Sequence, residues 1–518
     1  MKTRTTQSRR DFLKYMGGLV AVAAVPRLWA KPAFQKHPFT LGVASGYPTP
    51  SGVVLWTRLA PEALQPDGGM PQVAVPVRFE VAEDQAFRRI IAKGLSYATP
   101  DWAHSVHVEV DGLQPDRWYW YRFLAGEATS PVGRTRTAPA LGVVLSRLRF
   151  AFASCQQYEQ GYYAAYRHML ADELDLIVHL GDYIYESSWG TNHVRKHEGP
   201  EPVTLADYRA RFARYKSDPD LQAAHACCPW LVMWDDHEVE NDYANANSEN
   251  GDEPRWFLER RAAAYKAYYE HMPLRRAIVP LGPDMRMYER VPFGGLAEFN
   301  MLDDRQYRTP QPCPRPGRAG SNLIENCAER LSSEATLLGA RQERWLEAGL
   351  AASKAKWNFL AQQTLMAQAD RKAGDGQIFY SDGWDGYPAA RRRLLDFLAQ
   401  AKPANPVVIG GDVHSFWVND LKPDFDAADS PIVATEFVGT SISSQPPPED
   451  VIQTSKNEGA RHIHFATGLY RGYVRMEVTP TLLKADLRAL ADVRKPNSPC
   501  DTLTSWVVED GRPGAKPA

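Results

Sequence analysis

The apolar positions fall into two textures along the chain. Between residues 38 and 139 they come as short runs, at 53–59, 75–81, 106–110 and 118–124. Turn-forming clusters separate them: Thr49-Pro50-Ser51-Gly52, Asp67-Gly68-Gly69 and Asp111-Gly112. Short strands at such spacing predict a β-sandwich. After a linker at 140–147 the texture changes. Apolar runs at 148–153, 174–180, 231–234, 299–302 and 407–409 alternate with helical patterns at 163–171, 255–271, 341–353 and 388–400. That alternation predicts an α/β domain over 147–492. Trp345, Leu346 and Leu350 carry ordinary core spacing, and Arg391-Arg392-Arg393 reads as a solvated helix face. Gln445-Pro446-Pro447-Pro448 reads as a stiff loop, and the Pro-rich stretch 493–518 as a C-terminal tail, with folding back and hanging loose both open to it.

The first thirty residues follow a different rule. Ser8-Arg9-Arg10-Asp11-Phe12-Leu13-Lys14 precedes an apolar run at 16–25 that is too short for a bilayer span, and the run ends at Leu28-Trp29-Ala30. A basic start, a short apolar run and a small-residue cleavage site predict a secretory signal over 1–30. The twin arginine resembles a Tat signal, which implies the Tat export machinery as a partner and a periplasmic or secreted location. Residues 1–30 hold six basic residues and one acidic residue; the remainder has 54 Lys+Arg against 61 Asp+Glu, a balance of −7. This acidic balance argues against a nucleic-acid partner. No second segment reads as a membrane span, so stable membrane insertion is not expected after signal removal. Of the six cysteines, Cys313 and Cys327 flank a Pro/Gly/Arg-rich loop and form the best candidate disulfide.

Candidate chemistry gathers where the strand-like runs end. Four polar clusters occupy those ends: Ala153-Ser154-Cys155-Gln156, Gly181-Asp182-Tyr183-Ile184-Tyr185-Glu186, Asp235-Asp236-His237-Glu238-Val239-Glu240-Asn241-Asp242, and Gly411-Asp412-Val413-His414. Ligands of open α/β sheets collect outside the carboxyl ends of the strands, so the four are expected to converge. Convergence would crowd Asp182, Asp236 and Asp412, which cannot all stay ionised without a compensating cation. Carboxylates suit Ca²⁺ or Mg²⁺. A thiolate, phenolate and imidazole suit a transition metal.

Two resemblances sharpen this reading. Residues 112–122 and 133–139 resemble a fibronectin type III or immunoglobulin-like sandwich. Gly181-Asp182-Tyr183-Ile184-Tyr185 resembles the Gly-Asp-x-x-Tyr block of binuclear metallophosphoesterases of the purple acid phosphatase type. Combined with Ala-Ser-Cys-Gln, Asp235-Asp236-His237-Glu238, Gly411-Asp412-Val413-His414 and Leu302-Asp303-Asp304-Arg305-Gln306-Tyr307-Arg308, this is the pattern of the PhoD-like alkaline phosphatases. The resemblance implies a β-sandwich followed by a metallophosphoesterase α/β sandwich. It also implies hydrolysis of phosphate mono- or diesters at alkaline pH by a metal-bound hydroxide. Fe³⁺ would be held by Cys155, Asp182, Tyr185 and His414, and Ca²⁺ by Asp182, Asp236 and Asp412. His237 would act as proton donor, Asn241 would orient it, and Arg305 would contact the substrate. Gln363 is expected to line the site. Asp304 and Asp242 depart from the pattern, which has Thr and Asn there. The rival readings are a phospholipase D-like diesterase and a non-catalytic surface binding protein.

Overall fold

The structure, a computed structural model, describes residues 33–456 and 459–518. The expected export signal at 1–30 lies outside the described residues. The N-terminal part contributes strands β1 (Val43–Thr49), β2 (Gly52–Arg58), β3 (Val75–Ala82), β4 (Ile90–Ala98), β5 (Ser105–Val110), β6 (Trp118–Ala125), β7 (Ala128–Thr129) and β8 (Gly133–Arg136). Next come β9 (Leu148–Ala153), β10 (Leu176–His179), β11 (Trp230–Val232), β12 (Glu289–Phe293), β13 (Ala297–Met301), β14 (Leu323–Ile324), β15 (Trp357–Ala361) and β16 (Phe379–Tyr380). The last are β17 (Pro406–Gly410), β18 (Phe416–Leu421), β19 (Ala434–Val438), β20 (Ile463–Thr467), β21 (Arg471–Val478), β22 (Leu482–Leu490), β23 (Cys500–Glu509) and β24 (Arg512–Pro517).

Two mixed sheets build the larger domain. One runs β24-β23-β22-β21-β9-β10-β11-β1-β2-β5 and the other β12-β13-β15-β17-β19-β18-β20. The central strands β9, β10 and β11 are parallel. Their continuous apolar sequences follow from burial on both faces. The two sheets share one core, in which Phe150 of β9 sits edge-on to Phe299 and Phe359 with centroids 5.1 and 5.2 Å away. Such geometry suits the aromatic quadrupole. A smaller sheet, β4-β3-β6-β7 with β8 also on β6, completes the N-terminal domain. Strand β6 shows why: alternate residues of Trp118–Ala125 are buried, the period that a one-sided sheet demands.

Three features depart from the sequence reading. First, β1, β2 and β5 extend the main sheet, through the parallel bridge of Gly46 to Trp230. A Cβ on Gly46 would lie 2.8 Å from the carbonyl oxygens of both Trp230 and Pro273, so this junction needs glycine. Second, residues 493–518 are not a loose tail. β23 and β24 form the edge of the main sheet, with Trp506 and Val508 buried. Their Thr and Asp content disguised the first strand, and Pro513 and Pro517 are tolerated in the second because it is an edge. Third, Arg391 is buried and bonds to Asp385 Oδ1 (2.7 Å) and the Met366 carbonyl (3.0 Å), while Arg392 stays exposed. The run of three arginines therefore straddles two helix faces.

The four expected helices span Ala164–Ala171, Pro254–His271, Gly339–Ala352 and Pro388–Ala401. Three more among the described residues, Leu205–Lys216, Pro219–Cys227 and the short Glu449–Thr454, were not expected. The start signals of the first two are local. Thr204 and Asp207 form a capping box, and Asp218 caps a helix with Pro219 in its first turn. Cys313 and Cys327 are joined in a disulfide.

Candidate metal centre

Each sheet delivers its polar cluster at a strand end. Cys155 follows β9, Asp182 follows β10, Asp236 follows β11, and Asp412 and His414 follow β17. Four of these residues take the left-handed backbone conformation: Cys155 (φ 59°), Asp182 (56°), Asp412 (61°) and His414 (51°). Non-glycine residues pay roughly 1–3 kcal/mol each for such strain, which gathers at functional sites. Gly181 ahead of Asp182 is also obligatory. It has φ 107°, and a Cβ there would lie 2.5 Å from the Asp235 backbone nitrogen.

The side chains meet in three groups, linked through Asp182 and Asp236. The ligand atoms of Cys155, Asp182 and His414 lie within 4.8 Å of one another, as do those of Asp182, Asp236 and His237, and those of Asp235, Asp236 and Asp412. Tyr185 joins the first group: its hydroxyl donates to Asp182 Oδ2 at 2.7 Å and lies 3.0 Å from His414 Nε2. Ser444 Oγ donates to the same hydroxyl at 2.8 Å. His414 Nδ1 donates to the Gln445 carbonyl at 2.7 Å, which leaves Nε2 as the lone-pair nitrogen facing the cluster. Trp189 stacks on the His414 ring with an interplanar angle of 6°.

The electrostatics describe a site built for positive charge. Asp182 Oδ1, Asp235 Oδ2 and Asp236 Oδ1 are buried with no hydrogen-bond partner among the described residues. Burial, with help from neighbouring carboxylates, pushes Asp182 well above the usual carboxylate range despite the pull of His237. Burial likewise pushes Asp412 up to about 6 and Asp242 to about 8. For Asp236, burial is overcome by Arg305 and His237, and its pKa falls to about 2. Burial and the Asp182 charge raise the Cys155 thiol and the Tyr185 phenol. Burial holds His414 near 3, hence neutral. Bare buried oxygens, a neutral imidazole with a free lone pair, and acids awaiting a counter-charge fit a metal cluster.

Most of the expected residues converge. Asp182, Asp236, His237, Asn241, Asp412 and His414 line one cleft of about 630 Å³, with Cys155 and Tyr185 buried behind it. Arg305 does not line that cleft. Its side chain is 1% exposed and pairs with Asp235 and with Asp382 Oδ2 (2.7 Å), while Nη2 lies 3.6 Å from Asp236 and 3.8 Å from Asp412. It supports the carboxylates from behind. Gln363 is also structural. It accepts from the Asp304 backbone and donates to the Leu302 carbonyl, and Asp304 in turn accepts from the Gln363 backbone. Asp242 reaches the cleft, where it accepts from the Ser321 backbone at 2.9 Å.

The sequence reading missed Glu186. Its Oε2 lies 2.7 Å from His237 Nδ1, and its Oε1 accepts from the Asn241 backbone at 3.1 Å. The Asn241 backbone and the His237 ring thus meet at one carboxylate. Burial would lower the His237 pKa, but Glu186, Asp182 and Asp236 outweigh it and raise it well above the ordinary histidine value. The signal was present, since Glu186 directly follows Tyr185 in the second cluster. Asp382, beyond β16, had no such signal.

Residues 150–487 match the family described as PhoD-like phosphatase, and residues 23–139 match the N-terminal domain of PhoD-like phosphatases. The chain belongs to the PhoD-like phosphatase family. This PhoD-like phosphatase is therefore a phosphoester hydrolase. It is 49% identical to alkaline phosphatase D of Bacillus subtilis (strain 168), over 94% of this chain and 83% of that one. It is also similar to the solved structure of PhoD, with a TM-score of 0.89 and 48% identity across 94% of this chain and 93% of that one. The N-terminal β domain followed by the catalytic domain is the architecture of the family.

Proposed function

We propose that this protein is an exported alkaline phosphatase acting on phosphate mono- and diesters, with Fe³⁺ and Ca²⁺ as cofactors. One observation carries the reading: three bare, buried carboxylate oxygens sit among a thiol, a phenol and a neutral imidazole at the mouth of the central strands. Cys155, Asp182, Tyr185 and His414 would hold Fe³⁺, and Asp182, Asp236 and Asp412 would hold Ca²⁺. Bound there, the two ions supply Lewis acidity and charge neutralisation for phosphoryl transfer.

The chain's own residues supply the rest. His237 keeps its proton through Glu186 on Nδ1, which leaves Nε2 to the cleft, where it donates to the departing oxygen. Thr364 Oγ1 donates to Asp412 Oδ2 at 2.7 Å and fixes that carboxylate. Arg305 keeps Asp236 ionised. Export rests on the Tat-like sequence at residues 9–14. No helix among the described residues is long and apolar enough to cross a membrane.

The test is phosphate release from a matched aryl phosphomonoester and diester at alkaline pH, before and after calcium chelation, with a visible spectrum of the metal-replete protein. Chelation-sensitive turnover and a charge-transfer band support the reading. Turnover without a band removes iron from it. Release of a free headgroup from phospholipid, with no aryl ester turnover, would favour the phospholipase D-like alternative.

A further inference from the structure

The cleft lining is dominated by acids: Asp182, Glu186, Glu201, Asp236, Glu240, Asp242, Glu249 and Asp412 all contribute. A phosphate ester entering it is an anion, and carboxylates repel it. Nearby arginines are already committed. Arg260 pairs with Glu201 and Glu240, Arg318 with Glu249, and Arg305 with Asp235 and Asp382.

Arg371 is different. It is the sole Lys or Arg lining the cleft among the described residues. Its guanidinium lies over the Tyr380 ring, 4.9 Å from the centroid. Among the described residues it forms no ion pair and no side-chain hydrogen bond. Stacking occupies one face of the guanidinium plane and leaves the N–H edges free, the geometry that recognises phosphate oxygens. Its backbone is fixed as well. The Arg371 N–H donates to the Ile378 carbonyl at 2.8 Å, and Asp370 Oδ1 accepts from both Lys372 and Ile378 N–H at 2.9 Å. Burial lowers its pKa, with Tyr380, Asp385 and Asp412 acting against that, so the charge lies within the field of the candidate ligand Asp412.

We propose that Arg371 is a substrate-binding residue that takes a phosphate oxygen of the ester. The inference rests on the phosphoester reading and adds a residue that no ligand pattern contains. The oxygen belongs either to the reacting phosphate or to a neighbouring phosphate of an ester that carries two.

The experiment uses the full, metal-replete chain with Arg371→Met, which keeps an apolar stack on Tyr380, and Arg371→Lys. Calorimetry measures inorganic phosphate binding, and kinetics give KM and kcat for a one-phosphate aryl diester and for a diester bearing a second phosphate. Arg371→Met weakens phosphate binding and raises KM by about tenfold or more, metal content stays unchanged, and Arg371→Lys recovers part of the loss. That result assigns the reacting phosphate. A KM increase confined to the two-phosphate diester assigns the neighbouring one. Phosphate affinity and both KM values within twofold of wild type would overturn the proposal. Arg371-dependent phosphate binding in a protein that hydrolyses no ester would sustain it while removing the functional reading beneath it.

Discussion

His237 Nδ1 lies 2.7 Å from Glu186 Oε2, and both side chains are buried. The carboxylate fixes the ring and favours its protonated form. Glu186→Gln keeps the shape and removes the charge, so the His237 pKa falls. If His237 donates the proton, kcat drops about 100-fold and the alkaline limb of the kcat profile moves to lower pH. Metal content stays the same. An unchanged profile would remove His237 from the proton-donor role.

The metal-free protein is expected to weaken as pH rises. Asp412 and Asp242 have folded pKa values of about 6 and 8 against an ordinary 3.8. A carboxyl with a raised folded pKa contributes stability that is present below 3.8 and lost as pH climbs through the folded value. Chelated protein therefore melts lower at pH 9 than at pH 5.5, and calcium and iron flatten that slope. Calorimetric scans of both forms check it; parallel slopes would contradict it.

Asp182→Asn tests the shared ligand. Asp182 stands in two of the three groups of ligand atoms, one with Cys155 and His414 and one with Asp236 and His237, so its loss is expected to empty the site and lower activity by at least 1000-fold, on the order of other catalytic deletions. Metal analysis by emission spectrometry reads the first effect. A variant that retains both metals would refute the bridging role.

Lys216 is buried with its ammonium 4.4 Å from the Trp56 ring centroid and 3.4 Å from the Tyr183 hydroxyl, and burial lowers its pKa to about 7. The unfolded chain binds this proton up to about 10.5, so the Lys216 contribution to stability rises with pH between 7 and 10.5. Lys216→Met is expected to be more stable than wild type by a few kcal/mol at pH 7, on the scale of ~1.4 kcal/mol per pKa unit. The gain should fade by pH 10.5. Denaturant midpoints at the two pH values decide; a constant gain would mean the charge is not the cause.

Arg305→Met leaves Asp235 buried without its cation and Asp382 with Arg308 alone. Breaking a buried pair in this way costs about 3–5 kcal/mol, so the variant should melt well below wild type. A normal melting temperature with only KM altered would restore the substrate-contact role first expected of Arg305.

The sequence made the strand ends legible because β9, β10, β11 and β17 each stop in a polar cluster, and a parallel sheet puts such ends on one edge. Cys155, Asp182, Asp236, Asp412 and His414 could be read that way. Glu186 could not be paired with His237, since the contact joins loops after two different strands. Arg391 was misplaced because a charge in a sequence looks solvated until its buried partner, Asp385, is brought to it; for Arg305, expected at the substrate, the ion pair with Asp235 was invisible because it joins distant loops. The last two strands were hidden by composition, because Thr-rich and Pro-containing segments can pair at an edge without an apolar run.

Strand β9, which leads to Cys155, has β10 on one side and β21 on the other, with Phe152 opposite Val474. The first neighbour is made soon after it; the second is made much later. Ser444, whose hydroxyl oxygen lies 2.8 Å from the Cys155 carbonyl oxygen, also arrives late. During synthesis the thiol therefore waits on a half-covered strand, and pairing so distant in sequence is slow to form. Whatever cation the site takes, a lasting hold on it can begin only once Ser444 and β21 have followed β9 out of the ribosome.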